Sequence, residues 1–245
     1  MALLACEVVL GQTAPRAILA VGAHAGNMEV AAGAVLARQA RAGDRVVLLH
    51  LTLGEGGNPR MTPTAYGEQK RREAVAAARV LGAESLFGPY HDGEVPNDEA
   101  ARRYVAEVIR EVRPSIVITH WRRSLHRDHE TAHAITRDAV LLAALEGVRL
   151  KSPAHRGVRA VYYTENREDK EEFQPYVYAG VKDGLAKWKE CVTQYEFIRG
   201  AISSFPYLDY YEALARVRGA ESGKGAAVAF EIDAWGKKRV VDALP

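Results

Sequence analysis

Short, nearly continuous apolar runs recur in the first half of the chain, and longer segments of helical periodicity separate them. Runs of this kind are typical of buried parallel strands, and they cover residues 16–23, 45–53, 84–87 and 115–119. Apolar and charged residues at helical spacing predict helices over about 28–42, 66–81 and 98–112, with a fourth helix ending near 145. The first half therefore predicts repeated strand–helix–strand units.

The pattern changes after about residue 146, where strands and helices no longer alternate evenly. Strands are predicted at 160–164, 177–179 and 226–232, and helices at about 181–199 and 208–218. We expect an α/β fold, with a doubly wound, mostly parallel, Rossmann-like sheet, helices on both faces and a small C-terminal α+β subregion. We expect residues 1–245 to form a single domain, with the core at about 16–145 and the subregion at about 146–245.

Composition and charge exclude several classes of protein. The 245 residues are 48% hydrophobic and 26% charged, which excludes a disordered chain, a collagen and a coiled coil. The net charge of +2 gives no reason to expect a nucleic-acid or membrane partner. Residues 1–6 superficially resemble a lipoprotein cleavage site, but they lack a basic segment and a long apolar stretch. The two cysteines, Cys6 and Cys191, are far apart, and together these features favour a cytoplasmic protein.

The eight histidines are unevenly distributed along the chain. Four of them lie within fourteen residues, at positions 120, 126, 129 and 133. In an open α/β sheet, ligands bind beyond the carboxyl ends of the strands, which is where His24 and His120 follow predicted strands. If those two strands are neighbours, the histidines meet at one edge of the sheet. Three such donors can hold a catalytic zinc ion with one position open for water.

The same histidines also allow structural roles. His120 could cap its strand, and His133, one helical turn after His129, could face solvent. His50 lies inside an apolar strand and is expected to be a hydrogen-bonded core residue. Spacing alone therefore leaves both a metal site and structural roles open.

Two short motifs carry a specific resemblance. Residues 22–29 read Gly-Ala-His-Ala-Gly-Asn-Met-Glu at a predicted strand-to-helix turn, and residues 126–129 read His-Arg-Asp-His. These segments resemble the His-Pro-Asp-Asp and His-Pro-Asp-His motifs of the PIG-L/LmbE-like family of zinc-dependent de-N-acetylases. Further segments resemble the same family at 51–57, 70–82, 91–93, 173–178 and 227–230. The resemblance extends over about residues 16–232.

The resemblance implies a role for each matching position. His24, Asn27 and His129 would be the metal ligands, for Zn²⁺. His126 would stabilise the tetrahedral intermediate or protonate the leaving amine. Asp128 would orient or tune the site.

Three further residues, Glu55, Lys70 and Asp92, lie where members of this family place substrate-binding or supporting groups. From the residues alone, segment 70–72 is interpreted as a solvated basic helix face. Segment 54–57 is interpreted as a flexible rim of the pocket, because it lacks the Lys-Ser/Thr of a phosphate-binding loop.

Two departures from the family pattern affect the chemistry directly. Gly26 stands where the family has its general-base aspartate, and Asn27 stands where it has an aspartate ligand. A neutral amide oxygen is a poorer zinc ligand than a carboxylate, so we expect weak metal binding, or none. Loss of a general base typically removes about 10²–10⁴-fold of rate.

These departures leave three hypotheses. The first is a hydrolase that removes an N-acetyl group from an amino-sugar conjugate by metal-activated water. The second is a related metal-dependent hydratase, and the third is a non-catalytic member that binds a ligand in the inherited pocket. The hydrolase is favoured because His24, His126, Asp128 and His129 are all present. By analogy with the family, we expect a homo-oligomer acting on a small molecule.

Overall fold

A seven-stranded sheet organises residues 16–237, the part of the chain that this computed structural model describes. The strands are β1 (Ala17–His24), β2 (Arg45–Thr52), β3 (Glu84–Phe87), β4 (Ile116–His120), β5 (Ala160–Thr164), β6 (Val177–Gly180) and β7 (Ala227–Glu231). The helices are α1 (Asn27–Arg41), α2 (Pro63–Leu81), α3 (Glu99–Val112), α4 (Arg127–Ala144), α5 (Leu185–Val192) and α6 (Tyr207–Ser222). Short 3₁₀ turns lie at Glu55–Gly57 and Ala234–Lys237.

The strand order confirms the predicted fold class. The order across the sheet is β3-β2-β1-β4-β5-β7-β6. The first five of these strands are parallel, and β7 runs antiparallel to both β5 and β6. The chain order reverses between β1 and β4, which is the point at which open α/β sheets bind ligands. The residues that end these two strands, His24 and His120, therefore lie at the same edge of the sheet.

Helices cover both faces of the sheet because the central strands are apolar on both sides. On β1, Ile18 and Ala20 face a core formed with α1, α2, α5 and α6. Leu19 and Val21 on the same strand face the opposite core, formed with α3 and α4. The two-layer arrangement buries the sheet and leaves its carboxyl edge as the place where polar side chains can gather.

Several element boundaries differ from the predictions. The predicted helix over 181–199 shortens to Leu185–Val192. The segment 126–129, predicted as a loop before a helix, belongs to the start of α4, because the His126 side chain accepts a hydrogen bond from the backbone N–H of Asp128 and caps the helix. His129 therefore lies on the first helical turn. Residues 1–6, which only superficially resemble a lipoprotein cleavage site, lie outside the described residues.

Among the described residues, none of the helices combines the length and the apolarity that a membrane span requires.

Arg110 on α3 closes the carboxyl end of α4, the helix that carries His129. Its guanidinium is buried, and it donates hydrogen bonds to the carbonyl oxygens of Leu142, Ala143, Leu145 and Ser152, at 2.7–3.2 Å. The last carbonyls of a helix have no partner within the helix, so one buried cation satisfies several of them at once.

Arg110→Met should therefore lower the free energy of unfolding by about 2–4 kcal/mol, because it leaves several buried carbonyl groups without a hydrogen-bond donor. Arg103→Met on the same helix is the control, since Arg103 is exposed and pairs with Glu99, also exposed. We expect that variant to lose less than about 1 kcal/mol. Urea unfolding followed by circular dichroism measures both, and equal losses would contradict the assigned role of Arg110.

Candidate active site

The site begins where β1 and β4 end side by side. His24 is the last residue of β1, and His120 is the last residue of β4. The backbone N–H of Ala23 donates to Nε2 of His120 at 3.2 Å. That nitrogen is therefore occupied, so His120 joins the two strand ends and does not offer this nitrogen to a metal ion.

A buried carboxylate, Asp169, holds two of the imidazoles in place. Its Oδ2 lies 3.0 Å from Nδ1 of His120, and its Oδ1 lies 2.9 Å from Nδ1 of His129. Each Nδ1 therefore carries the hydrogen, which leaves Nε2 of His129 with a free lone pair. This is the carboxylate–histidine arrangement that orients metal ligands. Sequence reasoning missed Asp169, because it lies in the loop after β5 and no motif marks it.

The protonation of this group suits metal binding. Burial, together with the charge on His120, lowers the pKa of His129 to about 4, despite the opposing effect of Asp169. Burial alone would raise the pKa of Asp169, but its hydrogen bonds to His120 and His129 lower it strongly. At neutral pH a charged Asp169 therefore faces a neutral His129, the form in which an imidazole binds a metal.

Three of the histidines predicted from the motifs lie together. The ring centroid of His24 is 4.5 Å from that of His126 and 5.2 Å from that of His129. The rings of His126 and His129 are 5.1 Å apart. One nitrogen from each of the three rings lies within 4.8 Å of the other two, so the three could share one ion. Their assignment as ligands and catalytic groups stays a prediction.

Two carboxylates approach the same nitrogen of His24. Asp92 Oδ1 lies 3.0 Å from Nε2 of His24, and Asp128 Oδ2 lies 3.3 Å from it. Burial would lower the pKa of His24, but the hydrogen bonds to Asp128 and Asp92 outweigh it and raise the pKa to about 9. Asp128 is fully buried, and its Oδ1 has no hydrogen-bond partner anywhere in residues 16–237.

His126 is oriented as a hydrogen-bond donor. Its Nδ1 accepts the backbone N–H of Asp128 at 3.2 Å, so the neutral ring carries its hydrogen on Nε2. Burial, and the nearby positive charge of His24, lower the pKa of His126, which favours this neutral form. His126 can therefore donate a hydrogen bond from Nε2 toward an oxygen in the site.

Asn27, the predicted third ligand, uses its carbonyl oxygen locally. Oδ1 of Asn27 accepts the backbone N–H of His24 at 2.6 Å. The remaining polar atom of the side chain is the amide nitrogen, which is a donor and does not bind cations. The role of Asn27 as a ligand stays a prediction, and its oxygen already accepts a short hydrogen bond.

Gly26 adopts a backbone conformation that disfavours any side chain. Its φ is +105°, and a Cβ placed there would lie 3.1 Å from two ring carbons of Phe197 and 3.6 Å from Nζ of Lys70. The space beside Gly26 is thus filled by a ring from the segment after α5 and by a lysine from α2.

Lys70 is buried, which corrects the interpretation of 70–72 as a solvated face for this residue, whereas Arg71 and Arg72 are exposed. Its side chain donates to the carbonyl oxygen of Ala25 at 2.6 Å, and its ammonium lies 4.5 and 4.3 Å from the ring centroids of Tyr195 and Phe197. Burial lowers the pKa of Lys70 to about 8, although the carboxylates of Glu73 and others partly oppose this. Lys70 lies near the middle of α2 and points inward, where the two rings stabilise its charge.

Glu55 links the histidine cluster to an open cleft. Its Oε1 lies 3.0 Å from Nδ1 of His91 and accepts the backbone N–H of Asp92 at 3.2 Å. Glu55 and His91 also line a cleft of about 410 Å³, together with Arg71 and other residues of α2. The structure thus places Glu55 and Asp92, two of the three predicted substrate-side residues, beside this cleft.

Two other histidines differ from expectation. His133 is buried and donates from Nδ1 to the carbonyl oxygen of His120 at 2.9 Å, so it does not face solvent. His50 is buried as predicted, but neither of its ring nitrogens has a hydrogen-bond partner in residues 16–237. Its ring lies 3.7 Å from the buried carboxylate of Glu29, which itself accepts a hydrogen bond from the Tyr195 hydroxyl.

The chain is similar to sugar deacetylases over its first half. The sequence profile of the PIG-L family, described as GlcNAc-PI de-N-acetylase, matches residues 19–140. A 1D-myo-inositol 2-acetamido-2-deoxy-alpha-D-glucopyranoside deacetylase from Kineococcus radiotolerans is 34% identical over 173 residues, covering 55% of this chain and 47% of that protein. The chain therefore spans about half the length of this curated relative.

A second similarity extends over most of the chain. A 4-oxalmesaconate hydratase from Pseudomonas putida is 25% identical over 227 residues, covering 88% of this chain and 84% of that protein. The crystal structure of a 4-carboxy-2-hydroxymuconate hydratase from P. putida superposes with a TM-score of 0.80 at 23% identity, covering 94% of this chain and 100% of that chain. At that identity the structural likeness establishes the fold alone.

Gly26→Ala should destabilise the protein for two reasons, the positive φ and the contact with Phe197. Gly43→Ala is the matched control, since Gly43 has a φ of +93° and a Cβ there would meet nothing within 4 Å. We expect each variant to lose about 1–2 kcal/mol of unfolding free energy from the backbone effect. Gly26→Ala should lose about 1 kcal/mol more from overpacking. Chemical denaturation measures both, and equal losses would show that Phe197 does not restrict this position.

The buried Lys70 should make stability depend on pH. Its folded pKa of about 8 lies below the ordinary value of 10.5, so between these pH values the unfolded chain binds a proton that the folded chain has lost. Relative to Lys70→Met, the wild-type protein should therefore gain stability as the pH rises from 8 to 10.5, by roughly 3 kcal/mol at most. Denaturation of both proteins across this range tests the assignment, which a constant difference would contradict.

Proposed function

Since the chain belongs to the PIG-L family of de-N-acetylases, we propose that it is a metal-dependent hydrolase that removes the N-acetyl group from a small amino-sugar conjugate. The observation that carries the proposal is the convergence of His24, at the end of β1, with His126 and His129, at the start of α4. The protein would act on a small molecule, and we retain the expectation of a cytoplasmic homo-oligomer.

The donor set fits a zinc ion. Imidazole and carboxylate groups are ligands that zinc accepts, and the bond to Asp169 leaves Nε2 of His129 free for that role. A zinc ion at His24 would displace the proton that His24 shares with Asp92 and Asp128. The carboxylates of Asp92 and Asp128, which both approach Nε2 of His24, supply negative charge at the same place. A bound zinc ion would polarise the amide carbonyl and lower the pKa of a water molecule beside it.

The chain's own residues would position the substrate and move its protons. The Nε2–H of His126 would donate to the oxygen that gains negative charge as water adds to the amide. Gly26 has no side chain, so the proton of that water would pass to a carboxylate of the cluster. Asp128 and Asp92 are the two described carboxylates that approach His24. The sugar would occupy the cleft beside Glu55, whose volume suits a ligand of this size.

A related hydratase is the second candidate function. The similarity to the P. putida hydratase covers 84% of that protein, against 47% of the K. radiotolerans deacetylase. Both reactions use activated water, and they differ in whether it adds to an amide carbonyl or to a C=C bond. Positions 26 and 27, where this chain lacks the family's two aspartates, lie beside the proposed metal site, so they are where the two reactions would differ.

We expect the purified, zinc-supplemented protein to release primary amine from N-acetylglucosaminyl conjugates, measured with an amine-reactive fluorophore. His126→Ala should lower kcat by about 10²–10³-fold, because it removes the donor to the developing oxyanion. His129→Ala should abolish metal binding and activity together, and chelation of the wild-type protein should do the same.

His155→Gln is the matched control, because His155 is buried away from the site and only donates to the carbonyl oxygen of Pro114, a bond that glutamine can keep. Its activity should equal that of the wild type. The hydratase would be supported instead if the protein hydrates an unsaturated dicarboxylate and releases no amine. Loss of the dicarboxylate's ultraviolet absorbance measures this hydration. A zinc-loaded protein with neither activity would contradict both functions.

A further inference from the structure

We propose that Asp92, in the loop after β3, supplies the carboxylate ligand of the metal ion in this chain, in place of residue 27 in the first loop. The inference rests on the proposed function only in requiring that the site holds a divalent metal. It assigns Asp92 a role different from the substrate contact predicted from the sequence.

The first loop has no carboxylate to offer. Asn27 uses its carbonyl oxygen to accept the backbone N–H of His24 at 2.6 Å, and the other end of its side chain is a donor. Gly26 has no side chain, and Phe197 occupies the space into which one would extend. A carboxylate ligand for a metal ion bound by His24 must therefore come from another segment of the chain.

Asp92 is held in the orientation that this role requires. The backbone N–H of Gly56 donates to Oδ2 of Asp92 at 3.1 Å, which fixes one carboxylate oxygen. The other oxygen, Oδ1, points at Nε2 of His24 at 3.0 Å. Within residues 16–237, no hydrogen bond other than the pairing with His24 engages this Oδ1. A carboxylate with one oxygen anchored by an outer hydrogen bond and the other free is the usual form of a metal ligand.

The spacing agrees with two ligands of one ion. Ligand atoms at about 2.0–2.1 Å from a tetrahedral zinc lie roughly 3.3–3.4 Å apart. The separation between Asp92 Oδ1 and Nε2 of His24 is 3.0 Å, close to that value. His24, Asp92, His126 and Asp128 each place one donor atom within 4.8 Å of all the others. Asp92 therefore needs little movement to share an ion with His24.

Asp128 is the weaker candidate for the same role. The oxygen that it turns toward His24, Oδ2, already accepts the backbone N–H of Gly93 at 2.7 Å. Asp128 is also fully buried, whereas the Asp92 side chain keeps 16% of its surface exposed. A metal ion bound near the exposed side of the site can exchange water and substrate more readily than one bound to a fully buried carboxylate.

This assignment would join the metal site to the substrate cleft. Glu55 lines the cleft and accepts the backbone N–H of Asp92, and Gly56, the next residue, holds the Asp92 carboxylate. A ligand seated on the same loops as the cleft would move with them when a substrate binds.

Asp92→Cys provides a direct test when the protein is loaded with Co²⁺. A thiolate bound to cobalt gives a charge-transfer band in the near ultraviolet, which nitrogen and oxygen ligands do not give. We expect this band in Asp92→Cys and not in Asn27→Cys, with the wild-type cobalt spectrum as the baseline for Cys6 and Cys191. The reverse result, a band in Asn27→Cys alone, would overturn the inference.

Zinc affinity gives a second readout that needs no substrate. Asp92→Asn should weaken zinc binding more than about 100-fold, because even an outer-shell partner is worth about 10–100-fold. Asn27→Ala should weaken it less than about 100-fold, because it removes an outer contact to His24 and not a ligand. Equal and small effects of the two changes would contradict the inference.

The outcomes also separate this inference from the proposed function. If the wild-type protein binds neither Zn²⁺ nor Co²⁺, the metal-dependent function and the assignment of Asp92 both fail. If Asp92→Cys shows the cobalt band but the wild type releases no amine from any N-acetyl conjugate, the ligand assignment holds and the deacetylase proposal fails. If the wild type is an active zinc enzyme and Asp92→Asn keeps its zinc affinity, the ligand assignment alone fails.

Discussion

The site depends on the hydrogen bonds that Asp169 accepts from His120 and His129. This one buried carboxylate joins the end of β4 to the first turn of α4, and His120 in turn accepts a backbone N–H from β1. Strand β1, the segment from β4 to α4 and the loop after β5 therefore meet around a single anion. Because a buried carboxylate is costly unless it is fully paired, any rearrangement that separates the two imidazoles would leave an unpaired charge in the core. The same bonds set which nitrogen of His129 is left free to bind a ligand.

The location of the site follows from the sheet order. From β1 the chain adds β2 and β3 on one side of the sheet and then β4 and β5 on the other. The loops that follow β1 and β4 therefore diverge and leave a crevice above the sheet. Apolar side chains fill both faces of the central strands, so polar groups can gather only at the strand ends. The polar cluster is thus confined to one edge, where water remains accessible and the imidazoles can be held without exposing the core.

Much of the fold could be predicted from the sequence, because apolar runs of strand length and helical periodicity are local signals. Strands β3 and β5 lie where the apolar runs place them. The motif histidines could also be predicted to meet, since the carboxyl ends of parallel strands share an edge. Asp169 and Phe197 could not be predicted, because they come from loops and segments whose position depends on long-range packing. Lys70 was misjudged for a related reason, since two aromatic rings from after α5 bury a residue that local periodicity places on a polar face.

The contact between Phe197 and Gly26 has a consequence for the history of this site. A change from glycine to aspartate needs one nucleotide substitution, so position 26 could in principle regain a carboxylate in one step. In this chain that step meets an aromatic ring and an unfavourable φ before it yields any chemistry. Restoring the residue would require the Phe197 ring to shift by a few tenths of an ångström, in addition to the cost of the positive φ. The ring therefore makes a carboxylate at position 26 harder to regain than the single nucleotide change suggests.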